Sequence, residues 1–194
     1  MSTFKCACGQ TEAKITGAHP FALSNCYCHS CVAGCRFVDA KGQAEGASTS
    51  GTSQLNKDGG VGIAFFDPNQ VEFVSKPAAG FGSIKIGEKG KAPRAYSKCC
   101  NSSVFFTHPK FYALNLNCIY NDDGTNFTPE TPVKNYNRKY AFDPSSVPEP
   151  AYDTAPFLDM FPVMKRFIIP WGPKIQDKDV MLDVKTVEVV PITW

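Results

Sequence analysis

The chain has 194 residues, 43% hydrophobic and 20% charged, which places it with globular domains and excludes a disordered chain. Twenty Lys and Arg against 18 Asp and Glu leave a formal charge of +2, too balanced for charge-driven nucleic-acid binding. No run approaches the roughly 18 apolar residues of a membrane span. The opening Met1-Ser2-Thr3-Phe4-Lys5-Cys6 also lacks the basic-then-apolar pattern of a secretion signal, so a cytoplasmic protein with neither nucleic-acid nor membrane partners is expected.

In chain order, Thr11–Thr16 alternates as a strand does, and one short helical turn is expected after Cys28. Val61–Phe66 is an apolar strand. The turn-like Asp67-Pro68-Asn69 leads into a second, Val71–Val74. Gly80-Phe81-Gly82 lacks the strand-turn-helix setting of a phosphate loop and is given no role. Ser103–Thr107 and Phe111–Leu116 are further strands rich in β-branched or aromatic residues, and Val184–Val190 closes the series. Gly 15 and Pro 15 leave few runs able to form a helix, and none shows a 3.6-residue apolar stripe. The segment from about 121 to 173 holds nine of the fifteen prolines and many aromatics, which reads as an irregular arm wrapped structurally over the domain, the alternative being an arm that covers a substrate or forms a dimer. The fold class is therefore mainly β.

Nine cysteines carry the chemistry. Seven fall in three clusters, Cys6/Cys8, Cys26/Cys28/Cys31 and Cys99/Cys100, while Cys35 and Cys118 stand alone. An odd number without a secretion signal argues against a disulfide framework and for metal ligation. A Cys-x-Cys turn brings two thiolates within reach of one tetrahedral metal, and Gly9 supplies the open backbone that the Cys6-Ala7-Cys8 turn needs. Its partner is the distant pair Cys99 and Cys100, and closing a loop of about ninety residues through zinc contributes folding energy directly. Adjacent side chains tend to diverge, which would leave Cys100 as the firm ligand of that pair. Cys26-Tyr27-Cys28-His29-Ser30-Cys31 offers three thiolates in six residues, the count of a catalytic zinc with one open position. Cys35 could be a fourth ligand, a resolving thiol or core filler. His29 could be a ligand, a proton shuttle, a donor to a ligand or a plain surface residue. Cys118 reads as a small buried hydrophobe, and His19 and His108 carry no supporting context.

Cys-x-Cys-Gly, then Cys-x-Cys-x-x-Cys some twenty residues on, then a late cysteine pair, resembles the glutathione-dependent formaldehyde-activating enzyme family, which includes the centromere protein V type of domain. Phe65-Phe66-Asp67-Pro68-Asn69-Gln70-Val71-Glu72-Phe73 looks like that family's central strand-turn-strand, and Ala95-Tyr96-Ser97-Lys98-Cys99-Cys100-Asn101-Ser102-Ser103 like its late cysteine motif. The resemblance covers roughly residues 3 to 118. It implies an Mss4-like tent of small antiparallel sheets around two zinc sites: residues 1–120 as the zinc-binding domain and 121–194 as an extension packing on it with a C-terminal strand. By the same resemblance Cys6, Cys8, Cys99 and Cys100 hold a structural zinc and Cys26, Cys28 and Cys31 the catalytic one. The family's activity is a carbon–sulfur lyase reaction joining formaldehyde to glutathione. This chain departs from the pattern in three places. Ser97 stands at the first cysteine of the usual late Cys-x-x-Cys, Asn101-Ser102-Ser103 replaces the Thr-Pro turn, and Tyr27 replaces a histidine.

The expected function is thus a zinc-dependent carbon–sulfur lyase or synthase acting on a small thiol, glutathione or another sulfur conjugate, with homodimerisation left open. The alternative is a non-enzymatic zinc-structured interaction module of the centromere protein V type, which would carry basic extensions absent here. A third reading, redox or metal buffering, needs exposed low-pKa thiols at Cys35 or Cys118.

Overall fold

The computed structural model describes residues 2–17, 19–44, 53–78, 80–90, 92–180 and 187–190. Among the described residues the molecule is mainly β, with two sheets and two α-helices. Strands β1 (Ser2–Lys5), β2 (Glu12–Ile15), β5 (Val71–Ser75) and β10 (Ile119–Asn121) make an antiparallel sheet in the order β10-β1-β2-β5. The second sheet has nine strands: β3 (Ala22–Cys26), β4 (Val61–Phe66), β6 (Phe81–Ile86), β7 (Arg94–Ser97), β8 (Ser102–His108), β9 (Phe111–Asn115), β11 (Asn135–Tyr136), β12 (Ala151–Tyr152) and β13 (Glu188–Val190). Their order is β12-β11-β3-β4-β9-β8-β7-β6-β13. The centre of this sheet is antiparallel, but β11 and β12 at one edge and β13 at the other pair in parallel. The expectation of small antiparallel sheets thus holds for the first sheet and for the middle of the second.

Side-chain alternation divides the core in two. Ala64, Phe66, Phe105, Tyr112 and Leu114 point from the large sheet toward Phe4, Ala13 and Ile15 of the small one. Phe4 lies edge-on to Phe105 at 5.8 Å and to Phe73 at 6.4 Å. The opposite face presents Val61, Ile63, Phe65, Val104, Phe106, Phe111 and Ala113 to two helices. Helix α1 (His29–Ala44) packs at one end of it and α2 (Phe157–Ile168) at the other.

Both helices correct the sequence reading. The turn after Cys28 continues for 16 residues, because Cys31, Cys35 and Val38 form a stripe at i, i+4 and i+7 whose cysteines do not read as apolar. Gly34 weakens that helix in isolation, but a Cβ there would stand 3.1 Å from Cδ of Arg94, so its absence lets Arg94 cross the helix. The supposedly irregular arm contains α2, helical despite Pro162. Arg166 locks α2 in place through two hydrogen bonds, Nε to Asp67 Oδ1 (2.8 Å) and Nη2 to Asp67 Oδ2 (2.9 Å), with its guanidinium 3.3 Å from the Phe21 ring centre. The outward side of α2 remains apolar and exposed at Phe157, Leu158, Phe161 and Ile168.

Of the predicted strands, Val61–Phe66 is β4, Thr11–Thr16 and Phe111–Leu116 contain β2 and β9, and Val71–Val74 and Ser103–Thr107 lie within β5 and β8. Residues 184–186 of the last predicted strand lie outside the described residues; the remainder includes β13. Gly80-Phe81-Gly82 opens β6, where a Cβ on Gly82 would come within 2.2 Å of the Tyr96 ring, so the glycine serves cross-strand packing. Among the described residues, no helix is long and apolar enough to cross a membrane.

Candidate metal centres

Cys6 directly follows β1 and begins a tight turn in which Gly9 N–H donates to the Cys6 carbonyl (3.0 Å) and Gly9 takes a φ of +76°. Thr11 N–H donates to Cys6 Sγ at 3.2 Å. Ninety-three residues later the turn between β7 and β8 delivers Cys99 and Cys100. All four sulfurs lie within 4.8 Å of one another, with Sγ–Sγ separations of 3.5 Å for Cys6–Cys8, 3.6 Å for Cys6–Cys99 and 3.9 Å for Cys99–Cys100. Four sulfurs placed tetrahedrally at about 2.3 Å from one ion would stand about 3.8 Å apart, whereas a disulfide needs about 2.05 Å. The donor set therefore fits a thiophilic ion, and all nine cysteines are free.

Cys99 joins this group alongside Cys100, against the expectation that neighbours diverge. Consecutive side chains point apart on a strand, but these two occupy a turn that ends at Asn101 with a left-handed φ of 46°. Ser102 braces the site. Its Oγ accepts from Ala7 N–H (3.0 Å) and lies 3.0 Å from Cys100 Sγ. Ser97 is fully buried at the end of β7. A hydrogen bond from Cys100 holds the Cys6 thiol down at about 4 against its burial. Burial and hydrogen bonding to Cys8 push Cys99 up to about 12, while Cys100 is raised chiefly by its bond to Cys6.

Cys26, Cys28 and Cys31 form a second group, again within 4.8 Å. Cys26 ends β3, and the Cys28 carbonyl accepts from Cys31 N–H (3.0 Å) and Val32 N–H (3.1 Å), which starts α1 and places Cys28 at the positive end of the helix. Hydrogen bonds from Cys26, then from Cys31, depress the Cys28 thiol, and the same contact to Cys28 raises Cys26. Arg94 Nη2 donates to Ser30 Oγ (3.1 Å) and lies 3.8 Å from Cys31 Sγ, while Asn137 Nδ2 lies 3.6 Å from Cys26 Sγ. Three thiolates around a divalent ion carry one excess negative charge, and the Arg94 guanidinium offsets it. Arg94, Asn137, Ser30 and Ser102 were not legible as site residues, because the first two reach their cysteines from distant elements and the two serines lie inside or beside a motif without any spacing of their own.

The remaining candidates fall outside both groups. Tyr27 is buried beneath the loop, where its hydroxyl accepts from Asn25 Nδ2 (3.0 Å), so it anchors the turn and does not face the sulfurs. His29 lies against Tyr140, with ring centres 4.5 Å apart. Cys35 is buried in the α1 core, its thiol pushed up by burial, which fits the core-filler reading and removes the exposed low-pKa thiol that a redox role needs. Cys118 is buried likewise, its Sγ 3.6 Å from Gln54 Oε1. Cys31 also lines a cavity of about 170 Å³ on the helix-covered face of the large sheet.

The structure thus brings all seven predicted cysteines into two groups, each able to hold a metal ion. Compared with protein-family models and with curated proteins, the chain matches none.

Proposed function

We propose that the protein makes or breaks a carbon–sulfur bond on a small thiol, with zinc held at both cysteine groups, in the manner of the formaldehyde-activating family it resembles. The observation that carries this reading is the inequality of the two groups: the first has four cysteines, whereas among the described residues the second has three and no further Cys, His, Asp or Glu in its group. Four ligands close a tetrahedral ion, and three leave one position for an exogenous ligand. Zinc, when bound by Cys26, Cys28 and Cys31, would supply a thiophilic Lewis acid that lowers the pKa of a substrate thiol.

The protein's own residues then do three things. Cys28 at the N-terminus of α1 and Asn137 beside Cys26 fix the sulfurs. Arg94 balances their charge, so that a further thiolate meets less repulsion. The loop holds the thiol beside a carbonyl carbon, which is catalysis by proximity. The substrate thiol gives up its proton, its sulfur attacks the carbonyl carbon, and the C=O π bond opens as the C–S bond forms. The oxygen takes a proton from solvent to give a hemithioacetal, and the reverse steps split it. No electrons are gained or lost overall. The two-sheet arrangement around cysteine sites also supports, without distinguishing, the Mss4-like tent implied by the resemblance.

The test is cobalt substitution. Two Co(II) per chain should bind, and added thiol should shift the sulfur-to-cobalt charge-transfer bands of one of them. The shift should vanish in Cys28→Ser and persist in Cys99→Ser. Spectra indifferent to every thiol would refute the reading and favour an interaction module with two structural metals.

A further inference from the structure

The cavity beside Cys31 lies where the two helices leave the sheet uncovered. Val61 and Val104 in its wall belong to the cluster under α1, and Phe65 and Ala113 to the cluster under α2. Ile63 packs against both. The gap is therefore a consequence of the architecture: two helices dock on one nine-stranded sheet, each over its own patch. Ala92, the exposed member of the lining, marks the rim, and Arg94 is the one charged lining residue.

Volume and chemistry decide what fits. An apolar cavity of about 150 Å³ stays dry and takes up benzene, and this one measures about 170 Å³. Open at the Ala92 rim, it has room for an aromatic ring or a branched alkyl group. A peptide thiol such as glutathione carries two carboxylates and an ammonium. Desolvating these against Val61, Ile63 and Phe106 would cost several kcal/mol each, with Arg94 able to compensate only one. Cys31 contributes both to the three-cysteine group and to the cavity wall, so a sulfur held at that group has the cavity next to it.

We infer that this cavity is the subsite for a compact apolar substituent on the thiol, so that the preferred substrate is an aryl or branched-alkyl thiol and not a peptide thiol. The inference rests on the carbon–sulfur reading above for the sulfur, but on the cavity alone for the substituent. The experiment separates the two on the zinc- or cobalt-loaded chain. Benzene, which has no sulfur, is titrated by NMR, and benzyl mercaptan and glutathione are compared as competitors and as perturbants of the cobalt spectrum. Saturable benzene binding is expected, displaced by benzyl mercaptan and not by glutathione. Ala113→Val narrows the cavity and should weaken benzene by about tenfold. Ile63→Phe is the second filling variant, with metal content and the urea midpoint showing that each still folds. No benzene binding to the folded wild type, or equal competition by glutathione, would overturn the subsite. A thiol response without benzene binding would overturn the subsite while keeping the carbon–sulfur reading. Benzene binding with cobalt bands indifferent to all thiols would overturn the carbon–sulfur reading and, with it, the assignment of the substituent to a thiol.

Discussion

Dismantling each centre in turn should cost unequal amounts of stability, and the inequality can be worked from the chain. Cys6 and Cys99 are separated by 93 residues, so a metal joining them closes a long loop in the unfolded state. The loop-closure relation for a cross-link gives about 4.7 kcal/mol at 25 °C for that length, and about 2.2 kcal/mol for the six residues from Cys26 to Cys31. The difference of about 2.5 kcal/mol is the testable quantity, because errors common to both centres cancel. Urea unfolding of the double variant Cys99→Ser/Cys100→Ser, which removes both distant ligands, and of Cys28→Ser, each with its remaining metal counted, should place the former lower by roughly that amount. Chelator should narrow the gap between the variants, since it removes the surviving centre from each. Equal midpoints, or a less stable Cys28→Ser, would refute the claim that the first centre acts as the long-range tie between the two sheets.

Two further outcomes follow from packing and charge. Arg166→Ala removes the paired hydrogen bonds to Asp67 and the contact with Phe21, and should cost about 2 kcal/mol in urea unfolding and expose α2 to limited proteolysis. Arg166→Lys should recover little of this, and a change under about 0.5 kcal/mol would show that α2 docks by its apolar residues alone. His108 is held below its ordinary pKa of 6.5, first by burial and then by Lys110, and its Nδ1 accepts from Lys110 N–H at 3.3 Å. Because the folded state prefers the neutral ring, its contribution is complete above pH 6.5 and is lost as pH falls through the lowered value. Urea midpoints at pH 7.5 and 5.5 should therefore fall more in the wild type than in His108→Phe. A parallel decline would show that protonated His108 is tolerated between Phe111 and Phe167.

The cysteine groups were legible because ligand spacing is local: Cys6-x-Cys8 and Cys26-x-Cys28-x-x-Cys31 each fit one turn, and only their long-range partner had to be guessed. Strands such as Val61–Phe66 were legible for the same reason, since one continuous apolar run marks a strand buried on both faces. What stayed hidden depends on distant neighbours. The α1 stripe consists of Cys31, Cys35 and Val38, whose burial is set by a sheet formed much later in the chain. Helix α2 tolerates Pro162 because Arg166 and Val163 are held from outside the helix. The strand at Phe81–Ile86 was obscured by Gly80 and Gly82, and the second of these makes room for a tyrosine fourteen positions on. Arg94 reaches Cys31 from strand β7, passing close to Gly34, a juxtaposition that no linear motif encodes.

The three-cysteine loop is not portable. Its backbone is stitched to the second half of the chain: Asn25 N–H donates to the Lys134 carbonyl, Tyr27 N–H to that of Tyr136, and Tyr136 lies in register with Cys26. Asn135 Oδ1 accepts from Asn25 Nδ2 at 2.8 Å, and Asn137 reaches the Cys26 sulfur. A segment cut after residue 120 would keep every cysteine and still lose strand β11 and Asn137, which frame Cys26. Grafting those six residues onto another scaffold would transfer the ligands without the frame. Any minimal version of this centre must include residues 134–137, so the unit of inheritance or of engineering here is the whole sheet rather than the motif.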